Sequence, residues 1–155
     1  MERIIINSTL NGFILLDEIQ EIGSESITAR KRFTDMPAWL GLESLAQLGA
    51  LHVRFLSDFE RHAFLLAVKR CRVVSKDLLN GEFVLHATLT AHGSSAFSYE
   101  LRAMEASRTG ENRIRIEGEL LFACVEYDSV FKRDILQAHY RQVFSCLKNG
   151  SRIGC

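Results

Sequence analysis

A single carboxylate, that of Glu43, is the only ionisable group between Asp35 and His52. The amide of Gln47 follows one helical turn later and therefore shares a helix face with it. An ionised group that leaves water without a partner costs several kcal/mol, so it is either solvated by neighbours or used for chemistry. We take Glu43 as a candidate catalytic acid or base, and Gln47 as the group that orients it. The alternatives are a chemically idle Glu43 and a Gln47 that makes only a structural hydrogen bond.

The composition is that of an ordinary globular protein, with 47% hydrophobic and 25% charged residues. Its 155 residues predict one domain over positions 1–155. Nineteen basic and nineteen acidic residues give no net charge, so nothing attracts nucleic acid or an anionic membrane surface. No apolar run approaches the roughly 18 residues of a membrane span, and the one at Ile4–Ile6 is too short for a signal peptide. We expect a cytoplasmic protein without membrane or nucleic-acid partners.

The cysteines and histidines offer no metal-binding pattern. None of the cysteines forms a CxxC pair or lies near a histidine at metal-ligand spacing. We therefore expect reduced thiols, with the C-terminal one exposed to oxidation, at Cys71, Cys124, Cys146 and Cys155. A Gly-rich phosphate loop is also missing from the sequence, so we expect neither a metal nor a nucleotide.

Hydrophobic periodicity separates strands from helices. A period of two, bounded by turn residues, predicts strands over 13–22, 26–33, 64–74, 83–91, 97–106 and 114–125. A period of three to four predicts helices over 39–59 and 129–147. Thr34 and Asp35 are expected to cap the first helix, with Pro37 in its first turn, and Asp128 or Ser129 to cap the second.

The first helix is apolar on nearly all sides, which is typical of a buried helix. Neighbouring strands in sequence favour an antiparallel sheet, and a buried helix needs a sheet to cover it. Six strands curled around one long helix, with an extra C-terminal helix, form the hotdog fold of the α+β class. The hotdog core is expected over about 13–126.

At this point the motifs resemble those of hotdog-fold 3-hydroxyacyl-[acyl carrier protein] dehydratases, in particular the predicted dehydratases encoded near aryl-polyene and pigment synthesis genes. That family has an LLxD sequence in the first strand, a short Pro-containing motif before the helix, and an acid followed by Ala-Gln within it. The matching stretches here are Phe13-Ile14-Leu15-Leu16-Asp17, Met36-Pro37-Ala38 and Glu43-Ser44-Leu45-Ala46-Gln47.

The resemblance implies an acyl thioester as substrate, carried on the phosphopantetheine arm of an acyl carrier protein or of coenzyme A, with no other cofactor. It implies that Glu43 and Gln47 belong to the active site and that the N-terminal end of the helix polarises the thioester carbonyl. It also implies a homodimer or a dimer of dimers, because the acyl tunnel of this fold lies between protomers. The expected substrate-binding residues are Pro37, Ala38, Trp39 and Leu40, although packing in the core is the alternative for the last two.

The sequence departs from the family at the second catalytic group. The family has a histidine before the helix, but here Phe33-Thr34-Asp35-Met36-Pro37 joins strand to helix without one. His52 on the same helix and Asp35 near its start are the possible replacements, with a buried polar role as the alternative for His52 and a helix cap as the alternative for Asp35. The resemblance implies a dehydratase-like protein that binds acyl thioesters, in fatty-acid or polyketide-type lipid metabolism. The alternatives are a thioesterase that uses Glu43 alone and a non-catalytic acyl-binding subunit paired with an active relative.

Overall fold

The computed structural model describes residues 14–150. Its strands are β1 (Glu18–Ile22), β2 (Ser26–Met36), β3 (His62–Val73), β4 (Leu79–His92), β5 (Ala96–Ala106) and β6 (Asn112–Val125). Its helices are α1 (Ala38–Leu56) and α2 (Arg133–Lys148). Phe13, Cys155 and the apolar run near the N-terminus lie outside the described residues.

The six strands form one antiparallel sheet in the order β1-β2-β4-β5-β6-β3. α1 packs on one face of this sheet and contacts every strand from β2 to β6. The predicted hotdog fold, with a sheet wrapped around a long helix and a second helix at the C-terminus, is therefore confirmed.

The two faces of the sheet have opposite character. The face toward α1 is apolar and buried, with Ile27, Phe83, Leu101, Ile116 and Leu120 in the core. The outer face carries ion pairs between neighbouring strands, such as Arg72 with Glu117 at 2.6 Å. This separation fixes the register of each strand, because a slip of one residue would turn every apolar side chain toward water.

Two glycines let α1 lie close against the sheet. A Cβ atom at Gly41 would collide with the side chains of Ile116 and Leu79, and one at Gly49 would collide with the ring of Phe122. These contacts place the N-terminal half of α1 across β6. They also place the start of α1 level with Val73, which pairs with Ile116.

Both expected helix caps are wrong. β2 continues through Thr34 and Asp35 to Met36, so the residue before α1 is Pro37, and no side chain caps the helix. Asp35 has a φ of 48°, and its N–H donates to Oδ1 of Asn80. Asp128 accepts the N–H groups of Val130 and Phe131 in the loop before α2, which begins only at Arg133.

α2 clamps the turn between α1 and β3. Asp58 and Phe59 have φ values of 51° and 61°, which are uncommon for residues other than glycine. Gln137 donates to the carbonyl oxygen of Phe59 at 3.0 Å, and Arg141 donates to that of Asp58 at 3.0 Å. Arg133 and Arg141 also pair with the carboxylate of Glu60. The C-terminal helix thus holds a conformationally unusual turn in place.

The cysteines differ from the expectation in one respect. Cys71 is a free exposed thiol and Cys124 a free buried one, whereas Cys146 is disulfide-bonded. Within residues 14–150, no helix has the length and hydrophobicity that crossing a membrane requires.

Candidate active site

Glu43 lies on the side of α1 that faces away from the sheet. The sheet side is marked by Gly41 and Gly49, which touch β6, and by His52, which bonds to β5. His52 follows Glu43 by about two and a half turns, so the two side chains project from opposite sides of the helix. Trp39 precedes Glu43 by about one turn and shares its side.

Glu43 is half-buried. Within the part of the chain that the structure describes, no hydrogen bond or ion pair reaches it. An acidic group that is partly withdrawn from water and has no partner is available to a ligand. A catalytic role for Glu43 stays a prediction.

The first turn of α1 has uncapped backbone N–H groups. No side-chain cap and no acidic residue occupy that turn, and because the N–H of Leu40 donates to the carbonyl oxygen of Pro37 at 3.0 Å, the uncapped donors are those of Ala38 and Trp39. Trp39 is 63% exposed, whereas Pro37, Ala38 and Leu40 are half-buried. The four expected substrate-binding residues therefore border an accessible helix end that carries partial positive charge.

Gln47 has a structural contact. Its Oε1 accepts the backbone N–H of Leu15 at 2.8 Å, which ties the segment before β1 to the middle of α1. This contact supports the structural alternative for Gln47. An orienting role toward Glu43 remains a prediction.

Asp17, the acid of the LLxD sequence, fixes the same segment from its other side. Its carboxylate accepts the N–H of Arg32 at 2.7 Å and pairs with Lys31 at 3.2 Å. Burial lowers the pKa of the Lys31 ammonium. Two motif residues, Asp17 and Gln47, therefore position the chain that crosses α1, and sequence spacing gave no sign of this.

His52 belongs to the core. Its Nε2 donates to the carbonyl oxygen of Gly23 at 2.7 Å, and its Nδ1 then accepts from the hydroxyl of Tyr99 at 2.6 Å. Burial lowers the pKa of His52, and burial also raises the pKa of Tyr99. This neutral, fully bonded imidazole is the buried polar residue of the alternative interpretation, so it does not replace the missing histidine.

A second buried basic group lies at the far end of α1. Arg54 is 4% exposed, stacks on the ring of Tyr140 and donates to the carbonyl oxygen of Ala63 at 2.5 Å. It also contacts Nδ1 of His62 at 3.3 Å, and His62 stacks on Phe131. Burial and the nearby guanidinium lower the pKa of His62 to about 4.

The other histidines have neighbours elsewhere in the fold. His86 lies between the hydroxyls of Thr28 and Thr88, His92 stacks on Phe97, and His139 contacts Tyr140. All five histidines of the sequence lie within residues 14–150, and none forms a hydrogen bond or ion pair with Glu43. Glu43 therefore has no histidine of its own chain as a bonded partner.

Two further groups are not candidates for chemistry. Ser94 and Ser95 lie in the exposed loop between β4 and β5. Among the described residues, no cluster of three or more histidine, cysteine or acidic side chains could hold a metal ion.

Comparison with known proteins shows the fold of this chain but does not assign it to a family. Neither the protein-family models nor the curated protein sequences match this chain. Among solved structures, a thioesterase family protein from Silicibacter pomeroyi superimposes with a TM-score of 0.63 at 13% identity, over 72% of this chain and 86% of the other. A conserved protein from Pseudomonas aeruginosa gives 0.62 at 14% identity, over 81% and 100%.

A dehydratase is also among the similar structures. The ApeI:P dehydratase heterocomplex from Xenorhabdus doucetiae gives a TM-score of 0.55 at 14% identity, over 76% of this chain and 86% of the other. At these identities the similarity shows the hotdog fold alone. The resemblance to the 3-hydroxyacyl dehydratase subgroup therefore remains a hypothesis.

Proposed function

We propose that this protein binds acyl thioesters beside the N-terminal end of α1 and hydrolyses them with Glu43. The observation that carries the proposal is a half-buried acid, Glu43, which no other described residue bonds, on a helix whose first N–H groups, those of Ala38 and Trp39, have no cap. A carboxylate and a set of backbone donors are the two elements that thioester hydrolysis needs.

The proposed reaction needs one acid–base group. Glu43 accepts a proton from a water molecule, and the resulting hydroxide attacks the thioester carbon. The carbonyl oxygen becomes an oxyanion, which the first N–H groups of α1 stabilise. The C–S bond then breaks, and the departing thiolate takes the proton from Glu43, which returns to its starting state.

Dehydration is the second candidate. Removing water from a 3-hydroxyacyl thioester needs one group to take the α-proton and another to protonate the leaving hydroxyl. Glu43 has no histidine of its own chain bonded to it, which favours hydrolysis. The similarity to a dehydratase heterocomplex supports a different arrangement, in which Glu43 works with a histidine from another hotdog chain.

The substrate is expected on the phosphopantetheine arm of an acyl carrier protein or of coenzyme A. We expect the protein to act as a homodimer or as a dimer of dimers, because the sheet formed by the described residues ends in edge strands without a further partner, which soluble proteins usually cover or block. A mass of one chain by light scattering at micromolar concentration would contradict this expectation.

The test is a dual assay on saturated acyl and 3-hydroxyacyl thioesters, with free thiol and enoyl absorbance followed in parallel. We expect thiol release by the unaltered protein and a loss of roughly 10²–10⁴-fold in kcat for Glu43→Gln. Glu111→Gln is the matched control, because Glu111 is an exposed acid in the turn before β6. Enoyl formation without thiol release would replace hydrolysis by dehydration. Full activity of Glu43→Gln would remove Glu43 from the mechanism.

A further inference from the structure

Arg54, at the far end of α1 from the candidate active site, is a buried cation without an anionic partner. The residue is 4% exposed, and its guanidinium carbon lies 3.6 Å from the centre of the Tyr140 ring. Both of its hydrogen bonds use Nη2, which donates to the carbonyl oxygen of Ala63 and to Nδ1 of His62. Among the described residues, no acceptor reaches Nε, which is buried, or Nη1, which keeps contact with solvent. Part of this guanidinium is therefore available to an external acceptor.

The acidic side chains of the neighbouring segments are engaged elsewhere. Glu60 pairs with two arginines of α2, and Glu126 pairs with Arg61 at 3.3 Å. The carboxylate of Asp128 accepts two N–H groups of its own loop. Within residues 14–150, Arg54 forms no ion pair with a carboxylate. Because burial of an unpaired ion is unfavourable, an external anion that pairs with Arg54 would stabilise the folded protein.

The surroundings of Arg54 also contribute no carboxylate at longer range. Burial lowers the pKa of its guanidinium, and the side chains that counteract burial are those of Tyr140, Tyr127 and Cys124. None of these three is an acid that is normally charged at neutral pH. The positive charge of Arg54 is thus left uncompensated by the described residues around it.

His62 adds a second donor to the same cluster. Burial and the Arg54 guanidinium lower the pKa of His62 to about 4, so the ring is neutral at physiological pH. Its Nδ1 accepts from Arg54, and the proton of the neutral ring therefore lies on Nε2. No described acceptor bonds Nε2, and this atom also keeps contact with solvent. The cluster combines one positive charge with available donors from two side chains.

We propose that Arg54 and His62 bind the carboxylate of a small organic acid. The carboxylate would accept a hydrogen bond from Nη1 of Arg54 and neutralise its charge, and Nε2 of His62 is the second donor of the cluster. This site is separate from the candidate active site, because Arg54 follows Glu43 by eleven residues, or about 16 Å along α1. The proposal does not rest on the proposed function.

The charge and the walls of the cluster favour a carboxylate over other anions. One monoanion neutralises Arg54, whereas a phosphate dianion would leave an excess charge in a largely buried place. The planar guanidinium also matches the geometry of a carboxylate. The ring of Phe131 stacks on His62 with its centre at 4.4 Å, and that of Tyr127 lies at 6.2 Å. An acid with an apolar or aromatic substituent would pack against these rings.

NMR spectroscopy with benzoate as the probe tests the site in the unaltered protein. The Nε–H resonance of Arg54 reports on the guanidinium directly, and its loss in Arg54→Lys assigns it. Added benzoate should shift this resonance until the site is saturated. Benzamide, a neutral molecule of similar shape, should leave it unchanged. A resonance that does not respond to benzoate, or that responds equally to benzamide, would refute the proposal.

Variants test whether the guanidinium itself holds the carboxylate. Arg54→Lys keeps the charge but removes the fixed guanidinium donors, so it should weaken benzoate binding by roughly tenfold or more, followed through the backbone N–H of Ala63. Arg108→Lys, at an exposed arginine between β5 and β6, is the matched control and should retain the full affinity. Undiminished affinity in Arg54→Lys, or tighter binding of phosphate than of benzoate at equal ionic strength, would overturn the assignment. Neither measurement requires turnover, so an inactive protein that binds benzoate here would contradict only the proposed reaction.

Discussion

The backbone N–H of Leu15 donates to Oε1 of Gln47 across 2.8 Å, and this bond joins residues that are 32 positions apart. Together with the contacts of Asp17, it holds the segment before β1 across α1. The segment consequently has a fixed course past the helix that carries Glu43.

Gln47→Ala should therefore lower the free energy of unfolding and leave the rate of turnover of the folded protein unchanged. The loss of an acceptor for a partly buried N–H costs about 1–3 kcal/mol, measured by urea unfolding. Gln20→Ala, at an exposed glutamine of β1, should change stability by less than about 0.5 kcal/mol. An unchanged unfolding free energy combined with lost turnover would assign Gln47 to the reaction instead.

The hydroxyl of Tyr99 should stabilise the folded protein, because it is the hydrogen-bond donor to the buried Nδ1 of His52. Tyr99→Phe leaves the buried Nδ1 of His52 without a donor, and we expect a loss of about 1–3 kcal/mol by the same measurement. Tyr127→Phe removes a longer contact, at 3.4 Å to the carbonyl oxygen of Phe59, and should cost less. Equal losses would contradict the role given to the His52–Tyr99 bond.

The close contact between α1 and β6 predicts that a methyl group at Gly49 is not tolerated. Gly49→Ala would force its Cβ into the ring of Phe122, and overpacking of this kind costs about 1–3 kcal/mol. At Gly23 a Cβ meets nothing within 4 Å, so Gly23→Ala is the matched control. Melting temperatures of the two variants distinguish them. A Gly49→Ala protein as stable as the control would mean that α1 can move away from the sheet at little cost.

Stability should fall in acid because His62 is buried as the neutral form. Its pKa is about 4 in the folded protein and 6.5 in the unfolded chain, so between these values the unfolded state binds the extra proton. The free energy of unfolding is therefore highest above pH 6.5 and decreases as the pH falls to about 4, by up to about 3 kcal/mol.

Denaturant unfolding at pH 7 and pH 4.5 measures this decrease, and His62→Gln should reduce it. His52 and His139, whose pKa values burial also lowers, contribute in the same direction and remain in the variant. His92→Gln, at an exposed position, is the control and should retain the full decrease. An identical decrease in His62→Gln would show that His62 is not its source.

Trp39 should affect substrate binding and not folding. Since the side chain is 63% exposed, Trp39→Ala should change stability by less than about 0.5 kcal/mol. If it borders the acyl site, the variant should have a KM raised by about tenfold or more, with a smaller effect on kcat. Trp39 is also the single tryptophan, so its fluorescence should respond to a bound acyl thioester. Unchanged fluorescence at saturating ligand would place the site elsewhere.

The order of helices and strands could be predicted because the hydrophobic periodicity of each segment depends only on which of its own residues are buried. α1 was visible as a helix that is apolar on nearly all sides, and β4, β5 and β6 as alternating strands. The end of β2 was missed because Thr34 and Asp35 are equally suited to a cap and to a strand end. The start of α2 was missed because Asp128 bonds a loop rather than a helix.

In the candidate site, too, features of the local sequence could be predicted and contacts between distant elements could not. Glu43 could be singled out as a candidate because it is a local anomaly, one charge within an apolar helix, and its catalytic role stays a prediction. The partners of Gln47, His52 and Arg54 could not, since each is set by contacts between elements that are distant in sequence. That β3 lies at an edge of the sheet could not be predicted either, because strand order depends on pairing between elements that are distant in sequence.

The clamp of α2 on the turn at Asp58 and Phe59 has a consequence for biosynthesis. The residues that hold this turn follow it by more than 70 positions, at Arg133, Gln137 and Arg141. A ribosome delivers the turn and the whole sheet before it delivers the clamp. All six strands of the nascent chain are thus synthesised before the turn that leads into β3 has its hydrogen bonds. These bonds form only after α2 has been translated.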